Sequence, residues 1–586
     1  MESEISNITQ EKLRIKGKDQ GNLEINIHKQ PILRFAPEPS GYLHLGHAKA
    51  FFLNHHFSKD FFRVRIDDTN PLKETLEYEN SIKKDLLMIS SKRLFFSRSS
   101  DYFNALIFYA HKFIELGYAY ADNTPVEQMR DERDKGIENE NRNNSVEKNK
   151  EIFVSMLNQK NKEYCLRAKI DIKHKNKSLR DPVIFRFNFV HHYIYGDKYF
   201  VYPTYDFACP IIDSIECITN VFRSNEYRDR NAQYNWFIKK LKTVTFNKCE
   251  LSEYIKEEKK ENSKIIEDFL FFKNNCNELI HESNFNIYKK ENILSLFNFL
   301  DEKITNHNNS DKITNNDFND ELIIFNYYLP KFAPEIVDFS RMSFENTILS
   351  KRNLKEIISD NKLTWDDPRI PTIRGIIRKG LNIEALKEYV LMQGVAQKNS
   401  VFSWDKLWSI NKKVIDDLSG RYFCIEEKDL VEFVISDVTL NYYKSVPLHR
   451  KNPSLGEKSL FYGDIIYLNK NDVNLIKDSE FTLMYFSCAK IIGNKIFLTD
   501  SDVRKSKHKI HWVPKQNSVR IKLINYTDLL REDKFNHESK EEEWGVAEEE
   551  VLKAKGVVQF ERMGYYYVDQ KGIFNLVPYT VQVKKY

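Results

Sequence analysis

The first regular pattern along the chain is a short apolar run at 31–36, a Pro/Gly turn, and an apolar stretch at 48–57, which predict strand, turn and helix in that order. A strand-like run at 61–66 and helical patterns at 81–89 and 102–116 continue the alternation, as expected for the first half of an α/β domain. A charged stretch at 127–150 then precedes strand-like runs at 164–170 and 184–189, which predicts an inserted domain, and the α/β pattern resumes over 202–238. Between 243 and 330 the composition turns to Asn, Lys and Glu, with apolar patches such as Phe269-Leu270-Phe271-Phe272. A partly ordered surface insertion is expected there. Helical patterning runs on to 407, including 383–392. Beyond 421 the strand-like runs 431–435, 460–468, 481–486, 519–524 and 557–560 are separated by short turns, which predicts β-barrels.

A chain of 586 residues is too long for one core and implies three to five domains. With a formal net charge of +5 and 30% charged residues, bulk charge argues for solubility, and any nucleic-acid contact must come from local patches. The seven cysteines contain no C-x-x-C pair, so neither structural zinc nor a disulfide framework is expected. The first thirty residues are polar, and no run of about 18 apolar residues follows, so a cytoplasmic protein without a membrane segment is the expectation.

Candidate chemistry concentrates in Pro37-Glu38-Pro39-Ser40-Gly41-Tyr42-Leu43-His44-Leu45-Gly46-His47, at the strand-to-helix turn. Unpaired N–H groups at a helix start favour an anion such as a triphosphate. Gly46 would let a flat base or ribose approach the backbone, and His44 and His47 offer donors to phosphate oxygens. Alone, the turn also fits a capped core helix with two incidental histidines. A second element, Ile348-Leu349-Ser350-Lys351-Arg352, suits a cation that meets a pyrophosphate leaving group as the transition state forms. Further on, Arg504, Lys505, Lys507, Lys509 and Lys515 interleave with His508, His511 and Trp512. The mixture fits RNA phosphates and stacked bases, or equally a strand edge protected by lysines.

Together, His44-Leu45-Gly46-His47 and Leu349-Ser350-Lys351-Arg352 resemble the HIGH and KMSKS signatures of class I aminoacyl-tRNA synthetases, with Ile348 in place of the first KMSKS lysine. Arg34-Phe35-Ala36-Pro37-Glu38-Pro39-Ser40-Gly41-Tyr42, Asp67-Asp68-Thr69-Asn70-Pro71, Tyr202-Pro203-Thr204-Tyr205-Asp206-Phe207, Trp365-Asp366-Asp367-Pro368-Arg369 and Asn411-Lys412-Lys413-Val414-Ile415-Asp416 narrow the resemblance to the glutamyl/glutaminyl branch, and the β-rich tail beyond 421 resembles that of its archaeal/eukaryotic type. The resemblance implies a Rossmann-type core in two halves, 31–117 and 201–242, around an acceptor-stem-binding insertion at 118–200. It implies a KMSKS-type loop with a helical connecting domain at 331–418, and a β-barrel anticodon-binding region at 419–586. A polar extension at 1–30 stands where eukaryotic relatives often carry an interaction domain, so assembly through that domain is not expected and a monomer is.

Residue by residue, the resemblance implies catalytic roles for His44, His47 and Lys351. It implies ATP contacts from Glu38, Pro39, Ser40, His44, Leu45, Gly46, His47, Ala48, Lys49, Ala50, Ser224, Arg341, Met342, Leu349, Ser350 and Lys351. Glutamate would meet Arg34, Ala36, Asp67, Tyr205, Cys209 and Arg223. The branch that uses glutamate has Arg where Arg223 stands, against a small uncharged residue in the glutaminyl branch, and Ile336 stands where the latter has Gln. The implied reaction joins L-glutamate to tRNA(Glu) with ATP and Mg²⁺ through glutamyl-adenylate, using no DNA. The alternatives are a glutaminyl enzyme, a non-discriminating glutamyl enzyme, or a catalytically silent tRNA-binding scaffold. Arg504, Lys505, Lys507, Lys509 and Trp512 are the expected tRNA contacts.

Overall fold

The computed structural model describes residues 11–13, 25–27, 31–59, 61–216, 218–244, 334–436, 438–477, 479–503 and 506–578. Arg504, Lys505, most of the 1–30 extension and most of the 243–330 insertion lie outside the described residues. The chain divides into two compact units. The first comprises Met1–Tyr42, Ala50–Arg341 and Gly394–Lys398; the second comprises Leu43–Lys49, Met342–Gln393 and Asn399–Tyr586.

In the first unit, strands Arg34–Phe35, Phe61–Ile66 and Arg93–Arg98 form a parallel sheet, and Asn220–Ser224 pairs in parallel with Glu335–Phe339. The Thr219 N–H donates to the Ile32 carbonyl at 3.0 Å, which brings the two groups side by side. Ladders join 93–98, 61–66 and 34–35 in one sheet and 220–224 with 335–339 in another, and this bond sets them beside each other in the order 93–98, 61–66, 34–35, 220–224, 335–339. It is a doubly wound arrangement whose switch point falls between Arg34 and Arg223, where ligands of such sheets bind. Helices Phe103–Glu115, Tyr205–Ile215 and Asn231–Leu241 bury Phe113, Phe207 and Phe237 in one core. The same core takes Leu166, Phe185 and Tyr202 from an antiparallel meander of Ala119–Asp122, Cys165–Ala168, Val183–Phe187 and Val201–Pro203.

The charged stretch at 127–150 holds two helices. Val126–Lys135 ends on Gly136 at φ +71°, the left-handed cap that lacks a Cβ penalty, and Val146–Leu157 starts at Ser145, whose side chain accepts from the Lys148 N–H. Charge had hidden an apolar stripe of Ile152, Phe153 and Met156.

The second unit combines helices Lys351–Asp360, Ile373–Arg378, Ile383–Gln393 and Trp404–Asp416 with two seven-stranded sheets. One sheet runs 420–422, 557–560, 564–570, 573–576, 518–526, 540–548, 424–426; the other runs 509–510, 481–483, 488–492, 495–499, 430–435, 465–469, 513–514. The strand-rich region expected beyond 421 is present, and no closed barrel is found among the described residues. In each sheet, the two end strands are consecutive in the chain, separated only by Phe423 or by His511 and Trp512, yet no ladder joins them among the described residues. Strands of two or three residues turn that corner without reaching back to close the ring. The single run expected at 460–468 is two strands, Glu457–Gly463 and Ile465–Asn469. The chain changes partner at Asp464, from Asn441–Pro447 to Leu430–Ile435. The run at 481–486 stops at Leu483 because Tyr485 adopts φ +63° in the following turn.

Candidate active site

The second unit brings together His44, His47 and Lys351. Helix Leu45–Phe57 starts directly after His44, and the two imidazoles lie with centroids 3.9 Å apart. His44 Nδ1 accepts from the Gly46 N–H at 3.1 Å, and His47 Nδ1 accepts from the His44 N–H at 3.2 Å. Each ring therefore carries its proton on Nε2. Burial, followed by the charge of Lys351, lowers the His44 pKa to about 3. Burial, His44 and Lys351 hold His47 well below its usual value. Both rings are thus neutral Nε2–H donors at neutral pH, and the positive charge of the group resides on Lys351.

One expectation for this turn is corrected. The helix N-terminus has no free donors for a phosphate: Leu45 N–H donates to Pro371 O at 3.0 Å, Gly46 N–H to His44 Nδ1, and His47 and Ala48 N–H to His44 O at 2.8 and 3.2 Å. Phosphate contacts of this turn would come from side chains. The space that a Cβ on Gly46 would fill is taken by His44. A Cβ there would lie 2.9 Å from His44 Cε1, so its absence makes room for the histidine ring.

Among the other residues assigned to ATP, Leu45, Ala48, Lys49 and Met342 are buried, and the Leu45 N–H is also engaged. Gly46 and Ala50 are half-buried, and Leu349 and exposed Ser350 lead into helix Lys351–Asp360. In the first unit, buried Ser40 donates to Glu38 at 2.8 Å, buried Pro39 accepts the Thr75 N–H through its carbonyl, Ser224 ends its strand half-buried, and exposed Arg341 pairs with Glu226.

A second constellation lies in the first unit at the switch point. Arg34 donates through Nε and Nη2 to the two oxygens of Asp213, both at 3.0 Å, and Nη2 also reaches Cys209 Sγ at 3.4 Å. Arg65 bridges Asp213 at 2.6 Å and Glu216 at 2.7 Å, and the Tyr234 hydroxyl donates to Asp213 at 2.9 Å. Arg34 is consequently an anchored group with one fork edge spent, and only Nη1 remains for a substrate. Burial opposes ionisation of Asp213, but Arg34 and Arg65 override it and hold the carboxyl well below the usual range.

Arg223 is 5% exposed, lies 5.1 Å from the Tyr227 ring and 5.4 Å from the Tyr234 ring, and its Nε is buried without a hydrogen-bond partner. Tyr205, half-buried, lies 5.6 Å from Tyr227, and burial raises its pKa well above the usual value. Half-buried Ala36 follows the Arg34 strand. Ile336 stands opposite Val221 in the parallel pair that carries Arg223. Four guanidiniums, Arg34, Arg63, Arg65 and Arg223, gather here; the first three are tied to Asp213 and Glu216, whereas Arg223 has no carboxylate in direct contact among the described residues.

Asp67 accepts from the Ser99 hydroxyl at 3.1 Å, and its N–H donates to Pro37 O at 2.9 Å. Burial, aided by Glu38 and opposed by Arg65, Ser99 and Arg34, raises its pKa to about 6. The folded value exceeds the unfolded one of about 4, so folding favours the protonated form and this group costs stability as pH rises through that window. Binding of an ammonium group has the opposite sign, because it needs the carboxylate. The KM for an amino-acid substrate is therefore expected to rise as pH falls through about 6, and Asp67→Asn should flatten that rise. A steady-state profile between about pH 5 and about pH 8 checks it, and a flat wild-type profile would remove Asp67 from this role.

Asp213, Arg65, Glu216, Tyr227, Tyr234, Asn231 and Asp338 were not anticipated. A sequence signal existed for Asp213, a carboxylate four residues after Cys209 in a mainly apolar helix and so on the same face. The expected RNA patch is only partly realised. Lys507 and Lys509 are exposed, but Lys515 pairs with Glu432 at 2.8 Å. Trp512 is 0% exposed, packed on Tyr462 and Phe486, and donates through Nε1 to Met484 O at 3.0 Å. It is a core residue that cannot stack on a base.

A doubly wound arrangement with buried arginines at its switch point, and a paired-histidine turn beside a helix-opening lysine, are the features of an amino-acid-activating synthetase of class I, and the family comparisons give that class. The family model for tRNA synthetases class I (E and Q), catalytic domain, matches residues 32–279 and 300–417. Models for the anti-codon binding domain of the same group match 419–511 and 509–569. The chain is 41% identical to a probable cytoplasmic glutamate–tRNA ligase of Encephalitozoon cuniculi, over 96% of this chain and 78% of that one. It is 38% identical to its counterpart in Enterocytozoon bieneusi, over 96% and 80%, and 32% identical to the cytoplasmic glutamate–tRNA ligase of Saccharomyces cerevisiae, over 97% and 73%. The chain belongs to the class I tRNA synthetases of the glutamate and glutamine group.

Proposed function

We propose that the chain ligates L-glutamate to tRNA(Glu) in the cytoplasm, where its relatives are named as working, through a glutamyl-adenylate. The observation that carries the choice of amino acid is Arg223, a buried cation with an unpartnered Nε whose nearest polar partner is the neutral Asn231 amide. A γ-carboxylate satisfies it; a γ-amide leaves it without a counter-charge. Arg34 Nη1 and Arg223 would bind the carboxylate, and Asp67 the α-ammonium, with Ala36, Tyr205 and Cys209 lining the pocket.

Glutamate's α-carboxylate then attacks the α-phosphorus of Mg²⁺-ATP, forming a new P–O bond and expelling pyrophosphate. The ribose hydroxyl of the tRNA terminus attacks the resulting acyl phosphate carbonyl, giving the ester and AMP. Such steps need positioning and charge stabilisation and no covalent nucleophile. His44 and His47 would donate Nε2–H bonds to phosphate oxygens without changing charge, and Lys351 would meet the departing pyrophosphate. Charging assays with glutamate and glutamine, each on both tRNAs, test the reading. Glutamylation of tRNA(Glu) alone is expected. Glutaminylation would replace the proposal with a glutaminyl enzyme, glutamylation of both tRNAs with a non-discriminating one, and no charging with a silent scaffold.

A further inference from the structure

Arg223 and Asp338 are direct partners across the parallel strands Asn220–Ser224 and Glu335–Phe339. A guanidinium and a carboxylate placed this close can pair bidentately, and such a pair would use the charge that a substrate carboxylate requires. The two do not meet. Asn231, at the start of helix Asn231–Leu241, stands between them. Its Nδ2 donates to both oxygens of Asp338, at 3.0 and 3.1 Å, and its Oδ1 accepts from Arg223 Nη1 at 3.3 Å. This is the only orientation of the amide that satisfies both neighbours, since the reverse would set NH₂ against a guanidinium and oxygen against a carboxylate. Arg228 Nε, at 3.7 Å, adds a second cation on the far side of Asp338.

We propose that Asn231 is a positioning residue for substrate choice. It occupies the Asp338 carboxylate, gives Arg223 a neutral acceptor in its place, and so keeps the guanidinium's charge available for the γ-carboxylate of glutamate. The inference rests on the reading of Arg223 as the glutamate-binding cation. Charged residues often reach their sites through neutral intermediaries; here the intermediary decides which anion the cation serves. Asn231 is half-buried and Asp338 likewise, so both tolerate substitution without opening the core.

The test is a double-mutant cycle on the full chain, with glutamate and ATP kinetics measured in tRNA charging. Asn231→Ala lets Asp338 relax onto Arg223, and the KM for glutamate is expected to rise about tenfold while kcat and the KM for ATP stay within about twofold. Adding Asp338→Ala removes the competing anion and should return the glutamate KM to within about threefold of the parent. A double variant as impaired as Asn231→Ala alone would overturn the proposal, because a merely structural asparagine is not rescued by deleting a second residue. So would a single variant with an unchanged glutamate KM. Arg223→Cys separates this failure from failure of the underlying reading. If that variant uses glutamate normally, Arg223 is not the binding cation; if it is impaired and the rescue is absent, only the role of Asn231 falls. Equal thermal unfolding midpoints across the set identify the KM changes as local.

Discussion

Replacing Lys351 by alanine is expected to lower the rate of glutamyl-adenylate formation by about 10³-fold while leaving the KM for glutamate nearly unchanged. The split follows from where the cation sits. Lys351 opens helix Lys351–Asp360 next to the two histidines, and its charge contributes to the lowered pKa of both. The histidines are neutral, so removing Lys351 takes away the group's charge. The position that the KMSKS pattern would fill with another lysine is Ile348. Arg352 offers no substitute, since it is exposed and paired with Glu356 at 3.3 Å. With Lys351 in the role proposed for it, meeting the leaving pyrophosphate, its loss acts on the transition state more than on the ground state, which lowers kcat and spares glutamate binding. ATP–pyrophosphate exchange in the presence of tRNA reads the effect directly. An exchange rate within about fivefold of the parent would show that the cation is not used in the step. Lys351→Arg should retain part of the activity, because it keeps the charge and alters its geometry.

The parts of this arrangement that local pattern could reveal were those whose partners are close in the chain. The runs that became Leu45–Phe57, Phe61–Ile66, Leu430–Ile435 and Val557–Phe560 bury one face against neighbours and carry the corresponding period. His44, Gly46 and His47 were legible as a constellation because they sit within four residues. The closing of the helix start to an anion was not, because the Leu45 N–H donates to the carbonyl of Pro371, far along the chain. Arg34 was legible as a cation and illegible as a spent one, since Asp213 lies 179 residues away. Trp512 shows the same limit from the other direction. Its lysine-rich surroundings suggested a surface, whereas the local run Ile510-His511-Trp512-Val513 is all buried and sits at the corner of a sheet. Composition reports on a neighbourhood in sequence, and burial is set by the neighbourhood in space.

Substituting Arg223 by cysteine is expected to reduce kcat/KM for glutamate by about 10²- to 10³-fold, chiefly through KM. A γ-carboxylate entering the pocket would lose water and find one counter-charge fewer, and truncation of one partner of a buried hydrogen-bonded charge pair costs about 2–5 kcal/mol. The remaining cations soften the loss without abolishing it: Arg34 retains Nη1, but both its fork to Asp213 and the Arg65 bridge hold those groups where they are. Glutamine carries no charge to satisfy, so its use should change far less, and the ratio between the two amino acids should narrow by nearly the whole of the glutamate loss. Strong glutaminylation is not expected from the single change. Ile336, one strand over, has no group that could bond an amide, and rejecting a carboxylate is easier to engineer than recognising its neutral analogue. The fold should survive the substitution, because Asn231 keeps both bonds to Asp338 and Tyr234 keeps its bond to Asp213 when the guanidinium is gone. Unchanged glutamate kinetics in a variant of normal thermal stability would refute the role assigned to Arg223. A glutamate-specific loss at normal stability would place the discrimination between a carboxylate and an amide on one side chain, at the switch point where the two halves of the sheet diverge.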